Sequence, residues 1–209
     1  MPAPDYHGNS IVNLMASIVA GLGPVPAAPG NSDPVYTPHP VITPDMLEAS
    51  KHVVLLVIDG LGYDYLRRRL PGGAIDSGMR DPVTSVFPST TTSAISTFLT
   101  ADAPQQHALT GWYMWLREIG MVGSPLPFRS RPGKEVLGDF GLIPAAFFDR
   151  RPVFERIGRD CFMVQPAALW DSPYTRAHTG SAMVKPFRTL EQMFGRIRRI
   201  AASRKPSFT

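Results

Sequence analysis

Apolar residues recur at the three- and four-residue spacing of an α-helix in several stretches of the chain. This spacing predicts amphipathic helices, because it places the apolar side chains on one face of each helix. The clearest stretch lies near the C-terminal end and follows Thr189, a residue type that often caps helix N-termini. The predicted helices cover residues 10–22, 63–70, 89–99, 152–157 and 189–202.

Short continuous apolar runs lie between the predicted helices. The clearest is Val53–Ile58, which is rich in β-branched side chains and is followed at once by Asp59-Gly60. Such a run predicts a strand that is buried on both faces, as in a parallel sheet. Further strands are predicted at residues 83–87 and 161–165, in a hairpin around Gly120, and from residue 206 onward. Because strands alternate with helices, we expect an α/β layered fold around a mostly parallel sheet.

Two N-terminal stretches lack both patterns. Residues 1–8 are predicted to form a loose arm, and the proline-rich residues 23–44 an extended connection over the surface.

Composition narrows the class of protein. Apolar residues make up 44% of the 209 residues and charged residues 18%, which excludes general disorder. The lone cysteine, Cys161, excludes an internal disulfide framework and a multi-cysteine zinc site. The first basic residue is Lys51, and no apolar stretch reaches membrane-spanning length, so we predict no signal peptide, no membrane partner and a cytoplasmic location.

The net charge of +4 is divided unevenly along the chain. Residues 1–104 carry five basic and nine acidic side chains, whereas residues 105–209 carry 16 and eight. A basic half attracts phosphate esters or nucleic acid, but an arginine-rich helix surface facing solvent explains the same excess.

Two polar residues follow the first two predicted strands. Asp59 comes directly after the first strand, and Thr91 stands at the start of the helix after the second. In open α/β sheets ligands bind beyond the carboxyl ends of the strands, and a helix N-terminus favours a phosphate. A threonine hydroxyl needs a base or a metal to become a nucleophile, and carboxylates bind zinc and magnesium. Taken singly, Asp59 is also explained as a turn residue and Thr91 as part of a capping cluster.

Three blocks of sequence occur in a characteristic order: Val54–Gly62, Phe87–Thr92 and Thr100–Leu109. They resemble the nucleotide pyrophosphatase/phosphodiesterase group of the alkaline phosphatase superfamily. The first block is similar to that group's opening strand and metal-binding aspartate. The second is similar to its nucleophile segment, Phe-Pro-x-x-Thr, and the third to its Thr-Gly-x-x-Pro-x-x-His-Gly-Ile stretch.

The resemblance implies an alkaline-phosphatase-like layered fold and hydrolysis of a small-molecule phosphodiester or nucleotide. Thr91 would be the nucleophile that forms a covalent intermediate, and both Asp59 and Thr91 would bind metal. The implied cofactors are two divalent metal ions, usually zinc. If the alignment is shifted by one position, Thr90 or Thr92 takes the place of Thr91.

The sequence departs from the family pattern at three positions. Ala101 and Ala108 stand where the family usually has glycine, and Trp112 stands where many members have a phosphate-binding asparagine. We expect the alanines to stiffen turns. The tryptophan is interpreted either as a packing residue or as a ring that stacks on a base or leaving group.

The family's remaining metal ligands lie in an Asp-x-x-x-His pair, an Asp-His pair and a late histidine. Neither pair occurs in this sequence. We therefore expect the chain to hold an incomplete fold, with residues 1–50 as an N-terminal helix and proline-rich lead-in. Residues 51–209 would form the N-terminal part of the catalytic domain, inactive without the C-terminal ligands.

Two alternative functions remain open. The first is a phosphomonoester or phosphonate hydrolase of the same superfamily. The second is a non-catalytic binding relative that uses its basic C-terminal half. Nucleic acid is not the expected partner, because no nucleic-acid-binding motif is present. A Rossmann dinucleotide site is excluded, because Gly60 and Gly62 are followed by Tyr65 where the fingerprint needs a third glycine.

Overall fold

The computed structural model describes residues 3–23 and 36–209. The helices are α1 (Ile11–Leu22), α2 (Pro44–Glu48), α3 (Tyr63–Arg69), α4 (Ala74–Ser77), α5 (Thr91–Thr100), α6 (Pro104–His107), α7 (Pro144–Phe147), α8 (Pro173–Thr179) and α9 (Leu190–Ala201). The strands are β1 (His52–Val53), β2 (Met114–Leu116), β3 (Met121–Ser124), β4 (Arg129–Ser130), β5 (Asp160–Pro166), β6 (Met183–Phe187) and β7 (Ser207–Phe208).

A four-stranded parallel sheet lies at the centre, with strand order β1-β7-β5-β6. Helix α8 connects β5 to β6 and helix α9 connects β6 to β7, because successive parallel strands of one sheet need a crossover connection. The predicted α/β fold with a parallel sheet and flanking helices is therefore confirmed. A separate antiparallel sheet of β2, β3 and β4 contains the predicted hairpin, whose turn includes Gly120 at φ +63°.

Helix α1 belongs to the same core as the sheet. Its residues Met15 and Ile18 are almost fully buried and cluster with Cys161 of β5 and Phe208 of β7. Ser10 caps this helix by accepting a hydrogen bond from Asn13 N. The predicted helix is therefore confirmed, and the division of the chain at residue 50 remains a prediction.

Helix α5, which begins with Thr91, lies where three apolar clusters meet. Phe98 packs against the α1–sheet cluster and against a smaller cluster with Ile11 and Val86. Ile95 packs against a third cluster around Phe128. Contacts on several sides hold the helix in one position and thereby fix the place of its first residue.

The strand predicted at Val53–Ile58 is shorter and more exposed than expected. Only His52–Val53 forms β1, and the ladder continues just to Leu55, whose N–H donates to the Thr209 carbonyl at 2.8 Å. Val54 and Ile58 are 43% and 46% exposed, so the predicted burial is wrong. The physical reason is that β7 is the neighbour of β1 in the described chain, and no strand there covers the other edge.

Residues 83–87 also do not join the sheet. Thr84 pairs instead with Ser10 in a single parallel bridge, and its N–H donates to the Asn9 carbonyl at 2.9 Å.

The helix predicted at 152–157 is a short 3-10 helix, Val153–Glu155. Strand β6 has no counterpart among the predicted strands. It contains Pro186 and lies at a sheet edge, where proline is tolerated. Residues 24–35 of the predicted proline-rich connection lie outside the described residues.

Candidate active site

The structure brings Asp59 and Thr91 into direct contact. The Thr91 Oγ1 hydroxyl donates a hydrogen bond to Asp59 Oδ2 at 3.1 Å, although 32 residues separate them. Asp59 is exposed and Thr91 is half-buried, so a solute can reach both oxygens.

Local backbone geometry positions the two side chains. Asp59 lies in a turn closed by the Leu61 N–H, which donates to the Ile58 carbonyl at 3.3 Å, and Gly60 supplies the φ of +75°. Thr91 is the first residue of α5, and the chain before it turns through a hydrogen bond from Thr90 N to the Pro88 carbonyl. The carboxylate thus meets the hydroxyl at the N-terminal end of a ten-residue helix.

The start of α5 is not capped by a side chain. Thr90 is the N-cap residue, but its side-chain hydroxyl accepts no hydrogen bond from the amides of the first turn. The capping role predicted for the Ser/Thr run is therefore not observed there. Amides at a helix N-terminus need acceptors and favour negative charge. An anion near Thr91 would accept hydrogen bonds from these amides and would supply the negative charge that they favour.

The neighbouring hydroxyls differ from that of Thr91 in accessibility. Thr92 and Ser93 are completely buried, and their hydroxyl oxygens have no hydrogen-bond partner among the described residues. Thr90 is half-buried. Of the three candidate threonines, Thr91 therefore combines accessibility with the carboxylate contact.

His107, in the third sequence block, is held inside the protein. Its Nδ1 accepts a hydrogen bond from Leu109 N at 3.1 Å, and its Nε2 lies 3.3 Å from Thr97 Oγ1 of α5. Burial, together with a smaller contribution from the charge of His178, lowers the pKa of His107 to about 4. A neutral, hydrogen-bonded imidazole here positions α5 and is not exposed to substrate.

Two arginines that no sequence pattern singles out hold the C-terminal end of α5. Arg150 Nε donates to Asp102 Oδ2 at 2.7 Å, and Asp102 is 2% exposed. Arg156 Nη1 donates to the Thr100 carbonyl at 2.7 Å, which places a positive charge at the negative end of the helix. These partners lie about 50 residues apart in sequence, so spacing alone could not reveal them.

The alanines that replace the family's glycines occupy left-handed backbone positions. Ala101 ends α5 at φ +59°, and Ala108 ends α6 at φ +59°. An L-amino acid has a steric cost in this region because of its Cβ, whereas glycine, which has no Cβ, does not. The family preference for glycine thus corresponds to a backbone requirement at both positions.

Trp112 does not pack fully into the core. It is 40% exposed, and the next residue, Tyr113, carries the Arg131 guanidinium 5.2 Å from its ring centroid. Stacking of Trp112 on a base or leaving group stays a prediction.

The described residues fit a divalent metal ion only in part. Asp59 and Thr91 offer two oxygen donors, but no group of three or more His, Cys, Asp or Glu side chains comes together within residues 3–23 and 36–209. Cys161 is buried, which raises its thiol pKa to about 11 and makes it unsuitable as a thiolate ligand. The same described ranges hold no helix both long enough and apolar enough to cross a membrane.

A helix N-terminus next to a hydroxyl and a carboxylate, in a fold with a parallel sheet, is suited to binding a phosphate group. The family model described as "Type I phosphodiesterase / nucleotide pyrophosphatase" matches residues 53–203, and the chain belongs to this family. Its fold is the alkaline-phosphatase-like layered fold that the sequence predicts. Searches of the curated proteins and of the solved structures give no match.

Proposed function

We propose that Thr91 is the nucleophile of a metal-dependent phosphodiester or pyrophosphate hydrolase and that Asp59 is one of its metal ligands. The observation that carries the proposal is the 3.1 Å hydrogen bond from the Thr91 hydroxyl to the Asp59 carboxylate at the start of α5. Membership of the type I phosphodiesterase/nucleotide pyrophosphatase family supports this chemistry and a small phosphodiester or nucleotide as substrate.

The reaction divides into two displacements at phosphorus. In the first, Thr91 Oγ1 forms a bond to phosphorus as its hydroxyl proton passes to solvent, the bond from phosphorus to the leaving oxygen breaks, and that oxygen takes a proton from water. In the second, a water molecule attacks the same phosphorus and gives up a proton to solvent, while the bond from phosphorus to the threonine oxygen breaks and that oxygen takes a proton. Asp59 orients the hydroxyl through its hydrogen bond, while the amides at the start of α5 favour the phosphate charge.

The expected cofactors are two divalent ions, with zinc the first candidate, and they would supply positive charge that makes the hydroxyl more acidic. Asp59 and Thr91 are the proposed ligands from this sequence. The sequence contains neither an Asp-x-x-x-His nor an Asp-His pair, so we assign no further ligand within it.

The first test measures zinc-dependent hydrolysis of bis(p-nitrophenyl) phosphate by the full-length protein, by its Thr91→Ala variant and by the neighbouring control Thr90→Ala. Loss of the nucleophile should lower the rate by about a thousandfold or more, whereas the control should keep most of it. Equal rates for Thr91→Ala and the unsubstituted protein would remove Thr91 from this role.

The second test measures zinc binding by calorimetry and does not depend on turnover. Asp59→Asn keeps the shape of the side chain but removes its charge, so zinc affinity should fall by about tenfold or more. Asp64→Asn, five residues further on in α3, is the matched control and should leave zinc affinity unchanged. Unchanged affinity in Asp59→Asn would contradict its role as a ligand.

A further inference from the structure

The antiparallel sheet of β2, β3 and β4 has two different faces. Leu116 is paired with Met121, and Gly123 is paired with Ser130. Paired residues share a face and side chains alternate along each strand, so these four residues lie on one face of the sheet. Leu116 and Met121 pack there in the cluster around Phe128. This face therefore serves the fold.

The opposite face carries two aromatic rings. Trp115 of β2 is paired with Val122 of β3, and Tyr113, which directly precedes β2, lies on the same face as Trp115 by the alternation of side chains. The two residues are separated by about 7 Å along the strand. Trp115 is 65% exposed and Tyr113 is 54% exposed, so burial in the core does not account for either ring.

Three arginines occupy positions on the same face as the rings. The Arg131 N–H donates to the Val122 carbonyl at 2.9 Å, and the Arg131 guanidinium lies 5.2 Å from the centroid of the Tyr113 ring. Arg129 of β4 and Arg117, which directly follows β2, belong to this face by the same alternation. All three arginines are exposed. Cationic and aromatic side chains therefore lie next to each other on the solvent side of the sheet.

This aromatic–arginine face consists of Tyr113, Trp115, Arg117, Arg129 and Arg131. In the described part of the chain, none of its arginines pairs with a carboxylate. Arg129 Nη1 donates at 2.6 Å to an uncharged acceptor, the Lys134 carbonyl. The Glu135 carboxylate accepts instead from the hydroxyl of Ser130, on the buried face. A polyanion would therefore supply the negative charge that this face lacks.

The aromatic–arginine face suits a ligand that offers both phosphate groups and flat rings. Guanidinium groups bind phosphate through paired hydrogen bonds. The bases of a single strand have open faces that stack on aromatic side chains, and an open sheet with exposed aromatic residues is one known way of binding them. An acidic peptide matches the arginines alone and leaves the rings without a partner.

We propose that the aromatic–arginine face binds single-stranded nucleic acid, with bases stacked on Trp115 and Tyr113 and with phosphates bound by the arginines. The sequence contains no nucleic-acid-binding motif, because the pattern arises only when β3 aligns β2 with β4. The proposal is independent of the proposed function, since the face includes neither Asp59 nor Thr91.

The test measures binding of a fluorescently labelled oligo(dT) of about 12 nucleotides by the 209-residue chain, followed by fluorescence anisotropy without added metal. Trp115→Ala should weaken binding by about tenfold, which is the effect of losing one stacked base, and Trp115→Phe should retain most of the affinity. Trp170→Ala is the matched control, because Trp170 is 45% exposed and lies outside this sheet. It should leave the affinity unchanged.

Arg131→Gln tests the phosphate contacts. The slope of the logarithm of the binding constant against the logarithm of the salt concentration should become less negative by about 0.7, the value for one phosphate of a single strand. Arg69→Gln, at the exposed end of α3, is the control and should leave this slope unchanged.

Three results would each overturn the assignment. They are unchanged affinity in Trp115→Ala, an unchanged salt slope in Arg131→Gln, and equal affinity for a poly-glutamate of the same charge as the oligonucleotide. The last result would assign the face to an acidic protein partner, because poly-glutamate has charge but no bases to stack.

Discussion

Replacing Ala108 with glycine should stabilise the protein. Ala108 ends α6 at φ +59° and ψ +8°, a left-handed conformation in which its methyl group crowds the following carbonyl. Its side chain is exposed, so the substitution removes little apolar packing.

The expected gain follows from two opposing terms. The left-handed conformation costs an L-residue about 1–2 kcal/mol, and glycine loses about 0.5–1 kcal/mol more backbone entropy on folding. The free energy of unfolding should therefore rise by about 0.5–1 kcal/mol, which corresponds to a Tm increase of about 1–4 °C for a chain of this size. Ala101→Gly should give a smaller change, because Ala101 has the same φ but is 5% exposed and its methyl packs in the core.

Urea unfolding followed by circular dichroism measures these differences directly. Ala94→Gly in the regular part of α5 is the control and should lower the free energy of unfolding by about 1 kcal/mol. A decrease of similar size for Ala108→Gly would refute the assignment of strain to the left-handed alanine.

Three further measurements test other parts of the structure. Gly195→Ala should raise the free energy of unfolding by about 1 kcal/mol, because Gly195 lies inside α9 and an added Cβ meets no atom within 4 Å; a lower urea midpoint would contradict this. The free energy of unfolding should fall as the pH drops from 6.5 toward 4. In this range His107 binds a proton in the unfolded chain but stays neutral in the folded protein, where its pKa is lowered to about 4. His107→Gln should flatten this dependence and the exposed His7→Gln should not; a pH profile unchanged in His107→Gln would exclude the assignment. Leu56→Lys should reduce concentration-dependent light scattering without lowering Tm, because Leu56 is 47% exposed next to the β1 edge and a charge there opposes strand pairing. The control Leu190→Lys on α9 should leave the scattering unchanged. Equal scattering by Leu56→Lys and the unsubstituted protein would contradict a role for the β1 edge in association.

Much of the candidate site could be predicted from sequence, because the groups that carry it stand next to strong local signals. Asp59 follows a continuous apolar run and an Asp-Gly turn, and Thr91 follows Pro88 and lies in a Ser/Thr run of the kind that often starts a helix. The contacts that hold the helix could not be predicted in this way. Arg150 and Arg156 lie in an irregular segment, and only folding brings them to Asp102 and Thr100.

The sequence by itself determined the α/β class, the helices α1, α5 and α9 and the pair of residues proposed for chemistry, since local spacing and turn residues encode these features. Tertiary structure decided which apolar runs are buried. Val54 and Ile58 have the composition of core residues, yet they are exposed because burial of a strand depends on its neighbours and not on its own side chains. Tertiary structure also joined the N-terminal arm to Phe87, through a hydrogen bond between residues 81 positions apart that no local sequence pattern indicates.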